Sequence, residues 1–295
     1  MIQSVARIAS REVSPGFSYS RLVPMGSAGI LVDDYWEIRA ATCRTAIEAA
    51  LPDTAAEIYF NLGPAGRHIF TGCSDQRPAP RAAWVIGPRA DTMLLTKETL
   101  DCDLVGVRLH AGVAAHVLGV PARDLGGALV DLDQLWGSEV RRIREQLAAT
   151  SDTRARIGIV EQAILHRLSN GGSGEELGRV RALCRSVGTR THASVAKVAD
   201  AFGLSHRRVI ALFDQHVGLK PKAYHRVRRL RQVMEAAGSS DHPPWAQVAI
   251  QSGFCDQAHM IHEFRRLTGI TPREYEQRRM GVGVGFVPYR LAKAG

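Results

Sequence analysis

Side chains that catalyse reactions or hold metals act in tight sets, and this chain of 295 residues spreads such side chains out. His68, His110 and His116 show no closely spaced His-x-His pattern with a carboxylate. Cys43, Cys73, Cys102, Cys184 and Cys255 are odd in number and include no C-x-x-C pair, which argues against a disulfide framework, a zinc finger or a zinc-bound reactive cysteine. The histidines read as isolated surface or core residues, and no catalytic set, metal or cofactor is expected. A different chemistry is concentrated late in the chain. Arg207, Arg208, Ile210 and Ala211 form one cluster, and Gln257, Ala258, Ile261 and His262 form another. His206, Arg226, His259, Arg265 and Arg266 flank them. Amide, imidazole and guanidinium groups presented from a helix can bond base edges in a major groove, apolar side chains can meet a thymine methyl, and flanking cations can neutralise phosphates. The first cluster is therefore read with the second as base readout, and the five flanking residues as phosphate contacts, with His259 equally readable as a structural residue that satisfies a backbone group at the turn.

Such groups must be held by a scaffold, and the scaffold is written twice. Phe213, Gly218, Pro221 and Tyr224 recur as Phe264, Gly269, Pro272 and Tyr275, while Ala196, Val198, Ala199 and Gly203 recur as Ala246, Val248, Ala249 and Gly253. Repetition of glycine, proline and aromatic positions in order marks a duplicated helical unit. In the first copy Ser194 to Ala201 predicts a short helix, Gly203 a tight turn, and Ser205 the cap of a second helix with Val209, Leu212 and Phe213 facing inward. In the second, Ala249, Gly253 and Cys255-Asp256 play these parts, and Met260, Phe264 and Leu267 form the inward stripe. Pro221 opens a long helix to about Ala237, roughly 25 Å at 1.5 Å per residue, which joins the copies. Two recognition helices on such a connector suit successive major grooves about 34 Å apart.

Charge follows the same division. Residues 175–279 hold 18 Lys and Arg against 10 Asp and Glu, whereas residues 1–174 hold 18 against 19. The excess sits on the repeat and points to a polyanionic partner. No apolar stretch approaches the length of a membrane span, and the N-terminus has no signal-peptide core, so no membrane is expected and the cytoplasm is the expected compartment.

Residues 1–135 read as short β segments cut by Gly and Pro: Ile30 to Val32, Ala56 to Asn61, His68 to Thr71, Ala83 to Ile86, Met93 to Thr96 and Leu104 to Leu109, followed by a short helix from Gly112 to Gly119. A barrel or sandwich is expected, with Tyr59, Phe70 and Trp84 as candidate linings of an apolar ligand pocket, although such residues are more often simply core. Residues 136–174 predict two amphipathic helices, one from Ser138 and one from Ser151 or Asp152, and a glycine-rich linker at Asn170 to Gly174. Helices would occupy 175–279, and 280–295 is a tail. The fold class is therefore α+β: a β-rich domain, a helical connector, and an all-α domain of two helix-turn-helix units.

Residues 194–279 resemble the DNA-binding domain of the AraC/XylS family of bacterial transcription regulators. The resemblance rests on Gly218-Leu219-Lys220-Pro221 with Tyr224, Arg226, Arg229 and Leu230, on Gly253-Phe254-Cys255-Asp256-Gln257-Ala258-His259, and on the run from Phe264 to Tyr275. The β-rich part resembles, by architecture alone, the cupin-like effector domains of many such regulators. The resemblance implies a sequence-specific regulator of transcription, not an enzyme, whose partners are double-stranded DNA, a small-molecule effector, RNA polymerase and a second copy of the chain. Ile210 and Ala211 depart from the polar residues common in the first recognition helix, and His262 stands where an Arg is frequent. The alternative reading is a small-molecule-binding or catalytic β-barrel protein whose basic helices dock a partner.

Overall fold

The computed structural model describes residues 5–14, 16–40, 47–64, 67–69, 82–97, 101–127, 129–169, 174–189, 195–239, 243–279 and 285–288. The N-terminal part comprises β1 (Val5–Ser14), β2 (Phe17–Pro24), α1 (Ala28–Leu31), β3 (Val32–Ala40), β4 (Ile47–Ala50), β5 (Glu57–Asn61), β6 (Arg67–Ile69), β7 (Ala83–Ile86), β8 (Met93–Lys97) and β9 (Cys102–Leu109). After α2 (Ala114–Leu118), a 3-10 turn (Ala122–Leu125) and β10 (Leu129–Asp131) come α3 (Asp133–Trp136), α4 (Glu139–Ala148) and α5 (Thr153–Ser169). The remainder is helical: α6 (Gly174–Thr189), α7 (Val195–Ala201), α8 (His206–Leu212), a π-helical turn (Phe213–Val217), α9 (Pro221–Ser239), α10 (Trp245–Gln251), α11 (Gln257–Thr268) and α12 (Pro272–Arg278). A last strand, β11 (Phe286–Pro288), follows.

The strands form two sheets ordered β1-β2-β3-β9-β5-β7-β10 and β11-β4-β8-β6, every described pairing being antiparallel. Neither sheet closes on itself among the described residues, so of the two expected forms the structure is the sandwich, not the closed barrel. Side chains alternate between faces along a strand, and this sorts β5 cleanly. Tyr59 points with Trp36 and Trp84 into a core shared with Ala50, Met93 and Leu95 of the smaller sheet. Tyr59 stacks on Trp84 at 5.4 Å and meets Trp36 edge-on at 5.0 Å. Ile58 and Phe60 point the other way, where Val140, Ile143 and Leu147 of α4 and Ile157, Val160 and Ile164 of α5 cover the larger sheet. The connector helices therefore pack on the sandwich. Polar contacts reinforce that docking, because Arg156 of α5 donates to Glu37 of β3 and Asp103 of β9, each at 2.8 Å.

The first predicted strand needs correction. Ile30 lies in α1, and the strand that follows runs nine residues, while β1, β2, β4 and β10, and β11 within the expected tail, have no counterpart in the sequence reading. For β2 and β3 the physical reason lies in charge pairing. Arg21, Asp34, Glu37 and Arg39 interrupt any apolar alternation, yet Arg21 meets Asp34 at 2.6 Å and Arg39 meets Glu37 at 2.7 Å, so paired charges line a half-buried face. The predicted linker residues 170–173, the cap Ser194 and the pocket candidate Phe70 lie outside the described residues.

Candidate DNA-binding face and interdomain cavity

Each half of the repeat builds the same short lever. Gly203 and Gly253 adopt φ of +62° and +75°, the left-handed conformation that a side chain disfavours, and turn the chain between the two helices of each unit. The Ser205 hydroxyl accepts the Arg208 N–H at 3.2 Å, and the Asp256 carboxylate accepts the His259 N–H at 2.7 Å, so both second helices begin on a capping side chain. Val209, Leu212 and Phe213 are buried in one unit, and Met260, Phe264 and Leu267 in the other. These two stripes hold α8 and α11 against their partners and turn the opposite faces to solvent. Pro221 and Pro272 start the next helices, the latter through a full capping box between Thr271 and Glu274.

On the solvent side, His206, Arg207, Arg208, Ile210 and Ala211 are all exposed on α8. Gln257, Ala258 and His262 are exposed on α11, with Ile261 half-buried beside them. The basic residues assigned to phosphate differ more. Arg265 and Arg266 are exposed, but Arg266 forms a two-pronged bond with Glu263, 2.9 Å on each side, and Arg226 of α9 lies 3.7 Å from the same carboxylate. The Arg266 hydrogen bonds hold the Glu263 carboxyl below its usual range. His259 is half-buried and sets its ring edge-on to Phe254 at 5.5 Å. Arg229 had no assigned role in the sequence reading. Its guanidinium lies 3.7 Å over the Phe254 ring and its Nε donates to the Ser252 carbonyl, which pins the second turn to α9. It stands beside Arg226, Arg228 and Arg231 on α9, so composition carries no signal for that role.

Where the sandwich meets the helical part, a cavity of about 810 Å³ is lined from both sides. Trp36, Tyr59 and Arg108 come from the sandwich, and Arg181, Arg228 and Arg231 from the helices. Of the candidates, Tyr59 lines this cavity, while Trp84 is fully buried in the sandwich core and does not. At its floor Arg108 grips both carboxylate oxygens of Asp53, at 2.5 and 2.6 Å, and donates to Glu57 at 2.8 Å. Arg231 of α9 approaches the same Asp53 to 3.2 Å. Burial pushes the Asp53 carboxyl upward, but Arg108 and Arg231 outweigh it and hold the group well below the usual range. Asp34, on the wall, is pushed up to about 6 by burial despite Arg21 beside it.

A second contact joins the sandwich to the first helix-turn-helix unit. His116 of α2 stacks on His216 of the π-helical turn at 4.8 Å, and Arg123 reaches Asp214 at 3.1 Å. Neither histidine stood out in the sequence as part of a pair, since 100 positions separate them.

These features define a protein with two capped helix-turn-helix units on one connecting helix, carried by a β-sandwich. Residues 198–278 match the helix-turn-helix domain family. The chain is 37% identical over 82 residues to the HTH-type transcriptional activator RhaS of Escherichia fergusonii, covering 28% of this chain and 29% of that protein. It is 29% identical over 127 residues to the arabinose operon regulatory protein of Salmonella typhimurium, covering 40% and 44%. The chain thus spans less than half the length of these curated relatives. Among solved structures, ToxT of Vibrio cholerae overlays 82% of this chain and 97% of its own at a TM-score of 0.49, with 12% identity. Residues 198–278 thus form a helix-turn-helix domain similar to those of these two regulators. No described helix is long and apolar enough to cross a membrane.

Proposed function

We propose that this protein is a sequence-specific, DNA-binding transcription regulator that responds to a small molecule. The observation that carries the reading is the pair of capped recognition helices, each with its outward face free of covering protein and both fixed to α9. Arg207 and Arg208 with Ile210 and Ala211 read one groove, and Gln257, Ala258, Ile261 and His262 read the next. His206, Arg226, His259, Arg265 and Arg266 contribute phosphate contacts, with Arg226 and Arg266 exchanging Glu263 for phosphate oxygens. Residues 1–135 form the effector part, 136–174 the connector and 175–279 the DNA-binding part. The cavity between sandwich and helices supports the ligand-responsive element, because its walls come from both and its occupant would touch α9 directly. No catalytic role is assigned. RNA polymerase and a second copy of the chain are the further partners this reading carries, in the cytoplasm.

The test is duplex binding across a salt series. Binding through several phosphates releases counterions, so log affinity should fall steeply and linearly with log salt. A flat dependence would instead support a basic surface that docks a protein. Mapping bound DNA across a bacterial genome would then give the operator, and an absence of enriched sites with and without cell extract would count against the reading.

A further inference from the structure

The C-terminal tail is more than an extension of the DNA-binding part. Beyond α12, residues Phe286 to Pro288 return to the sandwich and pair antiparallel with β4, in the register Phe286 with Ala50, Val287 with Ala49 and Pro288 with Glu48. The Leu51 N–H donates to the Gly285 carbonyl at 2.8 Å and extends the ladder. Pro288 closes the pairing, and a proline is tolerated there because β11 is an edge strand.

Two side chains of this short strand face different neighbours, and a nearby hydrogen bond supports the same junction. Val287 is 2% exposed and packs in one core with Ala49 and Leu51 of the sandwich, with Leu230 of the connecting helix α9, and with Phe264 and Tyr275 of the second helix-turn-helix unit. Phe286 lines the interdomain cavity and sets its ring edge-on to Tyr59 at 6.4 Å. Thr92 of the sandwich adds a hydrogen bond to the Leu267 carbonyl at the end of α11, at 3.1 Å. The second unit and the sandwich therefore share an apolar core that β11 stitches together from the far end of the chain.

We propose that Phe286–Pro288 is a strap: it holds the second helix-turn-helix unit on the sandwich and closes one wall of the cavity, so that seating or release of the strap sets how freely the two units adjust to DNA. Chain connectivity supports a mechanical role. The helical part is joined to the sandwich before α6 by the chain and again after α12 by a strand, so it is tethered at both ends. With the strap seated the spacing of the two units is dictated by the sandwich; with it released, DNA can dictate it. Only this coupling to DNA rests on the DNA-binding reading.

The test uses the full chain carrying A49C and V287C in a Cys255→Ser background. Facing residues of an antiparallel pair lie within disulfide reach. Under mild oxidation a 49–287 crosslink, identified by peptide mass, is expected in the monomer. Failure of that crosslink to form would overturn the seated strap. Two further chains, V287D and one ending at Arg279, should show amide exchange in residues 47–51 faster by about tenfold or more, while residues of α4 and α5 keep their protection. Unchanged exchange at 47–51 in both would also overturn the proposal. These arms need no DNA, so their failure is distinct from failure of the DNA-binding reading. For the coupling, oxidised and reduced A49C/V287C protein are compared on a mapped operator duplex, or on random-sequence duplex where no site is mapped. The locked form should bind at least about fivefold more weakly, with affinity restored by reductant. Equal affinity in both states would overturn the coupling.

Discussion

The two helix-turn-helix units share a skeleton and differ in what they rest on. Positions 213, 218, 221 and 224 repeat 51 residues later with the same residue types, and in both units the aromatic pair of the skeleton meets ring to ring: Phe213 with Tyr224 at 5.4 Å, and Phe264 with Tyr275 at 5.8 Å. Between these anchors the copies diverge. Asp214 and Gln215 stand where the second unit has Arg265 and Arg266, and His216 stands where it has Leu267. The first unit turns its divergent residues toward α2 and the 3-10 turn of the sandwich, through Arg123 and His116. The second unit buries Leu267 in the core shared with β4 and β11, and leaves its arginines to solvent. Duplication thus conserved what folds each unit, while the docking contacts and the outward faces changed separately.

The shared skeleton should be equally costly to break in both copies. Phe213→Ala and Phe264→Ala are each expected to lose about 3–5 kcal/mol of stability by denaturant unfolding. A loss confined to one copy would mean that the two cores are not equivalent. The glycines that follow should separate the copies. Gly218 and Gly269 both have positive φ, but a Cβ on Gly218 would lie 2.6 Å from the Ala122 carbonyl oxygen of the sandwich, whereas one on Gly269 meets nothing within 4 Å. Gly269→Ala should cost about 1–2 kcal/mol from backbone strain alone, and Gly218→Ala about 3 kcal/mol or more once overpacking is added. Equal costs would show that the first unit does not dock on the sandwich in solution.

Readout gives effects of intermediate size. Gln257→Ala should lose about 1–3 kcal/mol at one base position of the operator, while Arg266→Ala should weaken binding to all sequences alike. A uniform loss from the glutamine change, measured by competition with single-base operator variants, would move it to the phosphate class. The smallest effect concerns pH. Burial lowers both the His116 and His216 pKa values, with Glu176 opposing this in each case and Arg208 reinforcing it at His216; Arg123 and Asp214 flank the pair. A histidine depressed in the folded state contributes stability above its unfolded value of about 6.5 and loses it as pH falls through the folded value. Unfolding followed from pH 7.5 to 5.5 should therefore show a decline that His216→Leu, which installs the residue type of the matching position in the second unit, reduces. A decline of the same size in that variant would assign it to other groups.

Much of this molecule can be read from residue order. Turn glycines, capping Ser205 and Asp256, helix-opening prolines and inward stripes act within a few residues of one another, so their meaning survives without a tertiary structure. The helical part, the stripe residues and the outward faces of α8 and α11 were legible for that reason. So were the central strands β5, β7 and β9, whose burial makes them nearly continuous apolar runs. Strands β2 and β3 were not, because charges such as Arg21, Asp34 and Glu37 that break their apolar pattern find partners across strands or on α5.

What the amino-acid order determined by itself was the duplicated, capped helical unit and its basic charge, since caps, turns and periodicity are local and charge is a simple sum. Tertiary structure alone decided that Asp53 joins Arg108 to Arg231, that His116 meets His216, and that Phe286–Pro288 return as a strand on β4. Each of those contacts joins positions 55 or more residues apart. Their energies come from burial and charge pairing that exist only once the chain has closed on itself.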